Sequence, residues 1–461
     1  MQFWNTKTKQ LEDFKPMSPE RVGLYSCGPT VYNPATLGNM RSYVFADILR
    51  RTLELFGYQV KQVMNITDVG HLVGDGDEGE DKMEREARAE GTSAWEIAKA
   101  YEARFKKDMD ALHIERPELM PRATDHIDEQ IDLIQELEQK GFTYQISDGI
   151  YFDTSKFADY GKFSGQKLDE KQEGARVETN PEKRNPSDFA LWKFSPTNEK
   201  RQMEWMSPWG KGFPGWHVEC SAMSTEYLGQ PFDIHTGGID HIPVHHENEI
   251  AQSVAAHGRP LAHFWMHNEF LLVDGRRMGK SEGNAYTLED IVAHDFDPLA
   301  YRYYCLGTHY RSKMNFTWDG LQAAQNALNK LREEAANLPV STEGEGQNDW
   351  REKFEAAIGD DLNTSKALAV MWEMLKSELS PQEKSSLLSY MDQLFAFDLD
   401  TFKGKKEATV PAEILELAEQ RKLARVAQDW KESDLLRSEI KHKGWVIEDK
   451  DNGAYTLHPE T

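Results

Sequence analysis

Between Glu20 and Asn65 the chain passes through an apolar run, a turn, an amphipathic stretch and a second apolar run. Glu20-Arg-Val-Gly-Leu-Tyr-Ser-Cys27 reads as a buried strand. Gly28, Pro29, Pro34 and Gly38 then mark a turn. Apolar residues at 44, 45, 48, 49, 53, 55 and 56 have helical spacing over Arg41 to Phe56, and Gly57 ends the pattern. Gln59 to Asn65 is the next strand. Strand, helix and strand within about 45 residues predict a βαβ unit, and so a parallel sheet with its loops gathered at one edge.

Later segments extend this pattern. Residues 80–112 read as one long charged helix, and 113–210, broken by Gly and Pro, as an insertion. Strand and helix signals return at Phe232–His235, Glu247–Ala256 and Leu271–Val273. Gly320 to Phe397 is helical in period, apart from an acidic, Gly-rich break at 341–348, and 403–409 reads as a linker. The expected domains are the two halves of an α/β catalytic unit (1–115 and 211–285) around an insertion (116–210). A connecting region (286–320), a helical bundle (321–402) and a small C-terminal module (410–461) follow.

Composition bounds the function. The 461 residues carry a formal charge of −24, which argues against a broadly basic, non-specific nucleic-acid coat. From 403 onward there are 11 Lys or Arg and 12 Asp or Glu, so the tail carries −1 and the rest −23. The tail is therefore the part least repelled by a polyanion. Three cysteines, Cys27, Cys220 and Cys305, cannot build a disulfide framework. No run approaches the ~18 apolar residues of a membrane span, and the first residues lack an apolar signal core. A reduced, cytoplasmic protein without membrane contact is expected. Cys305, within Tyr303-Tyr-Cys-Leu306, is expected to serve core packing.

Four segments carry chemistry. Cys27 to Asn39 joins strand to helix; it suits phosphate through free N–H groups at a helix start, or is a tight connection with no ligand. Gly215-Trp-His-Val-Glu-Cys220 and His235 to Glu249 hold His and carboxylate at i and i+4, His245 and Glu249. With the distant Cys27 and Cys220 they form a Cys₂HisGlu set suited to tetrahedral Zn²⁺. The alternative for each cysteine is a small buried hydrophobe. Asp274 to Asn284, with Gly275, Gly279 and Gly283, is a mobile loop whose Arg277 and Lys280 could close over a triphosphate, or a solvated basic turn.

Together these segments resemble the cysteinyl-tRNA synthetases, a class I aminoacyl-tRNA synthetase family. The matching residues are Cys27-Gly-Pro-Thr-Val-Tyr32, Asn65-Ile-Thr-Asp68, Gly215 to Ser221, His245-His-Glu-Asn-Glu-Ile-Ala-Gln252 and Asp360-Asp-Leu-Asn-Thr364. Gln420 to Arg425, Ser433 to Arg437 and Gly444 to Asp449 continue the likeness, which runs from about residue 2 to 457. The resemblance implies a Rossmann-type α/β domain with an insertion, then a helical bundle and an anticodon-binding module. It implies cysteine activation with ATP and Mg²⁺, transfer to the 3′ end of tRNA(Cys), one zinc ion per chain and a monomer.

Residue by residue, the resemblance makes Cys27, Cys220, His245 and Glu249 the zinc ligands. Thr36-Leu-Gly-Asn39 takes the place of the HIGH signature on the ATP phosphates. Arg277-Met-Gly-Lys-Ser281 takes that of the KMSKS loop, with Lys280 on the leaving phosphates. Gly237, Gly238 and Asp240 fall where the ribose is held, and Thr67 and Trp216 line the amino-acid pocket. The sequence departs from the signatures at Thr36, where the family has histidine, and at Asn39, Arg277 and Gly279. Threonine keeps a hydroxyl donor without an imidazole; arginine keeps the charge and adds a planar fork. Two other readings of the chain are a cysteine ligase acting on an amino sugar, which would lack the tail module, and a non-catalytic synthetase relative.

Overall fold

The computed structural model describes residues 1–69, 81–165, 180–196, 201–279, 282–340, 349–403, 410–449 and 455–459. Its centre is a four-stranded sheet in the order Ala262–Asn268, Phe232–Gly238, Arg21–Ser26, Gln59–Met64. Every neighbouring pair runs parallel. Val22, Leu24, Val63, Ile234 and Met266 are buried in it, as a sheet covered by helices on both faces requires. The expected α/β architecture is the one found. Chain order reverses between Arg21–Ser26 and Phe232–Gly238: the first crossover goes to one side and the later strands go to the other. Such a switch point opens a crevice beyond the carboxyl ends of the two strands.

The helix Leu37–Leu55 crosses from the first strand to the second. It begins four residues earlier than the apolar period suggests, because Thr36 caps it. Leu37, Met40, Val44 and Ile48 pack inward from it. The expected single helix over 80–112 is two, Lys82–Glu90 and Ala94–Ala111. Gly91 ends the first in a left-handed conformation (φ 67°), and Ser93 with Glu96 forms a capping box that starts the second.

Between the halves of the parallel sheet lies a five-stranded antiparallel sheet, Thr143–Ile146, Gly149–Phe152, Phe189–Phe194, Gly210–Pro214 and Trp205–Ser207. After the last parallel strand, Leu271–Val273 pairs in parallel with Met314–Phe316 and antiparallel with Arg276–Arg277. Helices Trp318–Ala336, Asp349–Ile358, Thr364–Lys376 and Pro381–Phe395 form the bundle, packed through Leu328, Leu331, Phe354, Met371, Leu388 and Phe395. The C-terminal module has helices Ala412–Val426 and Trp430–His442 and a hairpin, with its own small core of Ile414, Ala418, Ile440, Trp445 and Ile447. Cys305 is buried in the main core. No described helix is long and apolar enough to cross a membrane.

Candidate active site

Two adjoining cavities fill the crevice at the switch point, of about 260 Å³ and about 530 Å³. Thr36, Asn39, Ser42, Gly238 and Asp240 line both. Cys27, Thr67, Trp216, Cys220, Gly237 and His245 line the smaller; Gly38, Arg277, Met278 and Gly279 line the larger. Residues from four distant segments thus meet where the sheet ends.

The smaller cavity is built at the ends of three strands. Cys27 follows the first strand, its N–H donating to Thr236 O at 3.1 Å. Gly28 comes next, its N–H donating to Asn65 Oδ1 at 2.8 Å. A Cβ on Gly28 would stand 1.6 Å from the Asn65 carbonyl oxygen, so only glycine fits this crossing. A Cβ on Gly237 would meet the His241 and His246 rings at 2.7 Å, which is why a glycine ends the neighbouring strand. Thr67 is buried and donates to Glu219 Oε2 at 2.9 Å, while Asn65 Nδ2 donates to the Thr67 hydroxyl. Trp216 opens its helix and lays its ring 4.5 Å from that of His245.

The four candidate ligands read from the sequence converge. One atom from each of Cys27, Cys220, His245 and Glu249 lies within 4.8 Å of the others. Cys27 is half-buried beside the cavity; the other three are buried. The i, i+4 spacing brings His245 Nε2 to 2.7 Å from Glu249 Oε1, although His245 stands in a π-turn, Ile242–His246, that leads into the helix Glu247–His257. The extra residue of that turn re-aims the side chain, a common use of π geometry at functional sites.

The electrostatics suit a cation. Burial pushes the Cys27 thiol well up, whereas a hydrogen bond from Cys27 holds Cys220 below the ordinary thiol value. Burial alone would lower His245, but Glu249 and then Cys220 raise it to about 10. Burial would raise Glu249, yet His235 and His245 hold it well below the usual carboxylate range. Glu249 Oε1 is buried without a well-angled hydrogen bond. Two sulfurs, an imidazole nitrogen and a carboxylate oxygen in one cluster fit a Zn²⁺-type ion.

The larger cavity is built differently. Thr36 caps the helix Leu37–Leu55: its hydroxyl accepts from Asn39 N at 3.3 Å and donates to Asn39 Oδ1 at 2.8 Å. Asn39 Oδ1 also accepts from Thr36 N at 3.0 Å, closing the capping box. Leu37 N–H goes to Tyr286 O, which leaves the Gly38 N–H without a partner among the described residues. A Cβ on Gly38 would touch Met278 Sδ at 3.5 Å, so this turn faces the 274–284 loop. Arg277 and Asp240 are exposed at the cavity walls. Lys280 and Ser281 lie outside the described residues.

Residues 13–326 match the family described as tRNA synthetases class I (C) catalytic domain, and residues 353–391 match the DALR domain. The cysteine–tRNA ligase 1 of Burkholderia lata is 48% identical over 451 residues, covering 98% of this chain and 95% of that protein. The cysteine–tRNA ligase of Treponema denticola is 41% identical, covering 97% of each. The chain belongs to the cysteine–tRNA ligase family. The fold is also shared with Mycobacterium tuberculosis methionyl-tRNA synthetase bound by methionyl-adenylate: TM-score 0.55, 14% identity, 83% of this chain and 90% of that one.

Sequence reasoning missed what stands behind the ligands. His235 Nε2 lies 2.6 Å from Glu249 Oε2, and His246 Nε2 lies 3.2 Å from Cys27 Sγ. His246 Nδ1 in turn meets His267 Nε2 at 2.7 Å, and His217 Nδ1 meets His245 Nδ1 at 3.0 Å. Cys27, His235, His246 and Glu249 also bring one ligand atom each within 4.8 Å of the others, so His235 and His246 belong to a second group that could hold a metal as well as bonding to the first. A signal was present: eight of the 15 histidines fall between 217 and 267. Two further residues went unread: Asn65, which bonds Gly28 N and the Thr67 hydroxyl, and Lys313, which lines the larger cavity.

Proposed function

We propose that the protein joins cysteine to ATP, forming cysteinyl-adenylate and pyrophosphate, and then passes the cysteinyl group to the 3′ end of tRNA(Cys). One observation carries this reading: a Cys₂HisGlu cluster shares a wall with a nucleotide-sized cavity at the switch point of a class I fold. Cys27, Cys220, His245 and Glu249 would hold a zinc ion. Bound there, zinc supplies a borderline-soft site that favours a thiol, as thiolate, over a hydroxyl. Shape alone separates groups that differ so little by only about 10–200-fold.

Trp216 and Thr67 close the amino-acid cavity around the small substrate. In the first step a carboxylate oxygen of cysteine attacks the α-phosphorus of ATP, and the bond to pyrophosphate breaks in line. Positioning and charge neutralisation serve such a displacement. The helix start at Gly38 and Asn39 offers backbone and amide donors to the phosphates, with Thr36 fixing that turn. Arg277, beside Met278, meets the leaving phosphates from the loop, and the family resemblance assigns the same role to Lys280 and Ser281. Gly237, Gly238 and Asp240 hold the ribose, and Mg²⁺ accompanies ATP. In the second step the terminal hydroxyl of tRNA attacks the carbonyl carbon and AMP leaves. Residues 410–461 contact the anticodon end; the protein acts as a cytoplasmic monomer.

Cysteine-dependent exchange of pyrophosphate into ATP, followed by charging of tRNA(Cys), tests the reading. Exchange with cysteine and none with serine is expected. Exchange driven equally by serine, or none with any amino acid, overturns it.

A further inference from the structure

Arg41 is 3% exposed, and no carboxylate pairs with it among the described residues. Its guanidinium is held by backbone carbonyls instead. Nη1 donates to Glu269 O and Phe270 O, both at 2.7 Å. Nη2 donates to Ser312 O at 2.6 Å and more weakly to His309 O and Tyr310 O at 3.4 Å. A buried charge hydrogen-bonded to carbonyls, with the Glu269 carboxylate helping only through space, is costly.

The placement of those carbonyls gives it a use. Glu269 and Phe270 lead into the strand Leu271–Val273, which opens the 274–284 loop; His309 to Ser312 lead into Met314–Phe316, the strand paired with it. One side chain therefore pins both strands at their starts to the second turn of the helix Leu37–Leu55. The far end of the loop is tied to the first turn of the same helix, through Leu37 N–H to Tyr286 O at 2.8 Å. Between the two ties lies the larger cavity, with Thr36, Gly38 and Asn39 on the helix side and Leu272, Arg277 and Met278 on the loop side.

We propose that Arg41 is a positioning residue for the nucleotide: its carbonyl-bound guanidinium fixes the distance between the helix start and the loop that face each other across the larger cavity. The proposal rests on ATP being the ligand of that cavity. Arg41 touches no substrate; it acts through the two walls. Lysine keeps the charge but concentrates its donors at one point, so it cannot span carbonyls on two separate segments. A displacement of ~1 Å at a reacting group can cost about 10²-fold.

The test compares Arg41→Lys with wild type and with Arg50→Met. Arg50 lies on the same helix and pairs with Glu54 and Glu118 at 2.9 and 2.8 Å, away from both cavities. Arg41→Lys is expected to raise KM for ATP in pyrophosphate exchange at least about tenfold, with KM for cysteine unchanged. It should also weaken binding of a non-hydrolysable ATP analogue and speed tryptic cleavage after Arg276 and Arg277. Arg50→Met should lower the melting temperature and leave KM for ATP alone. An unchanged KM for ATP in Arg41→Lys, equal rises for ATP and cysteine, or an equal shift in Arg50→Met overturns the proposal. Wild type that binds the analogue without exchange breaks the reaction proposed above, and the analogue affinities then decide the role of Arg41. Wild type that binds no nucleotide overturns both.

Discussion

The thiol end and the nucleotide end of the site are neighbours built to different rules. At the thiol end the functional atoms belong to buried or half-buried side chains fixed by strand ends, crowded rings and short hydrogen bonds. At the nucleotide end they belong to a helix start and a loop, with Asn39, Asp240 and Arg277 exposed. On the proposed function, the difference follows from the ligands. A small amino acid needs a cavity already shaped and already charged before it arrives. A triphosphate is large and anionic, and pyrophosphate must leave, so its walls gain from being able to part. The contrast predicts that thiol-end substitutions act on metal and cysteine together, whereas nucleotide-end substitutions act on rate or ATP affinity.

The largest expected effect is at a proposed metal ligand. Cys220→Ser should lower the zinc content of the purified protein and raise KM for cysteine, reducing kcat/KM by more than the ~10–100-fold typical of outer-shell losses. Metal analysis beside exchange kinetics reads both. A metal-free variant of full activity would break the comparison at its stronger end.

Gly28→Ala should come next. The added Cβ would stand 1.6 Å from the Asn65 carbonyl, a backbone atom that cannot swing away. Overpacking of this kind costs about 1–3 kcal/mol or more. The melting temperature and cysteine affinity should fall together, because Cys27 is the adjacent residue. Gly38→Ala, facing only ordinary contact with Met278 at 3.5 Å, should be far milder. Equal losses at the two glycines would show that the ends are equally rigid.

Much of this contrast could be read from the chain alone. The apolar run at 22–25 and the i, i+4 pair at 245 and 249 place the first strand and half of the candidate ligand set. The break at Gly91 was readable too: the Gly, and Ser93 three residues before Glu96, are ordinary stop and start signals that charge content obscured. The π-turn at 242–246 left no such signal, because one extra residue in a helix is a tertiary compromise and not a local preference. Arg41 was illegible for another reason. Its acceptors are backbone carbonyls 228 to 271 positions away, and a carbonyl carries no residue identity.

A smaller effect should come from Asp68, which is 4% exposed beside the thiol-end wall. It accepts from Thr124 N at 2.9 Å and Thr124 Oγ1 at 2.6 Å. Burial, only partly offset by these bonds, pushes its carboxyl up to about 6. A carboxyl raised in the folded state binds its proton more tightly there than in the unfolded chain. Its contribution is therefore fully present below about pH 4 and is lost as pH rises through about 6, a change on the order of 3 kcal/mol. Asp68→Asn keeps an acceptor for the Thr124 N–H and removes the charge. Relative to wild type, its melting temperature should rise as pH increases from 4 to 7. A difference independent of pH would show that the wall tolerates water at this carboxyl.

Thr36 gives the smallest effect and the finest discrimination, because two roles compete for one hydroxyl. That hydroxyl already accepts from Asn39 N and donates to Asn39 Oδ1. To donate to an ATP phosphate it must leave Asn39 Oδ1, and the oxygen loses one of its two donors. If the cap is its whole role, Thr36→Ala should cost about 1 kcal/mol of stability and leave the activation rate per folded molecule unchanged. If it also donates as the reaction proceeds, kcat for adenylate formation should fall toward the low end of the 10²–10³-fold range for a preorganised donor, with cysteine affinity intact. Thr36→Ser keeps cap and donor and should match wild type in both cases. The capping box favours the first outcome, with Gly38 N–H and the Asn39 amide left as the phosphate donors of this turn. Exchange kinetics and melting temperature on the same two variants separate them: a rate loss in alanine without a stability loss would show that the hydroxyl serves the phosphate and not the helix.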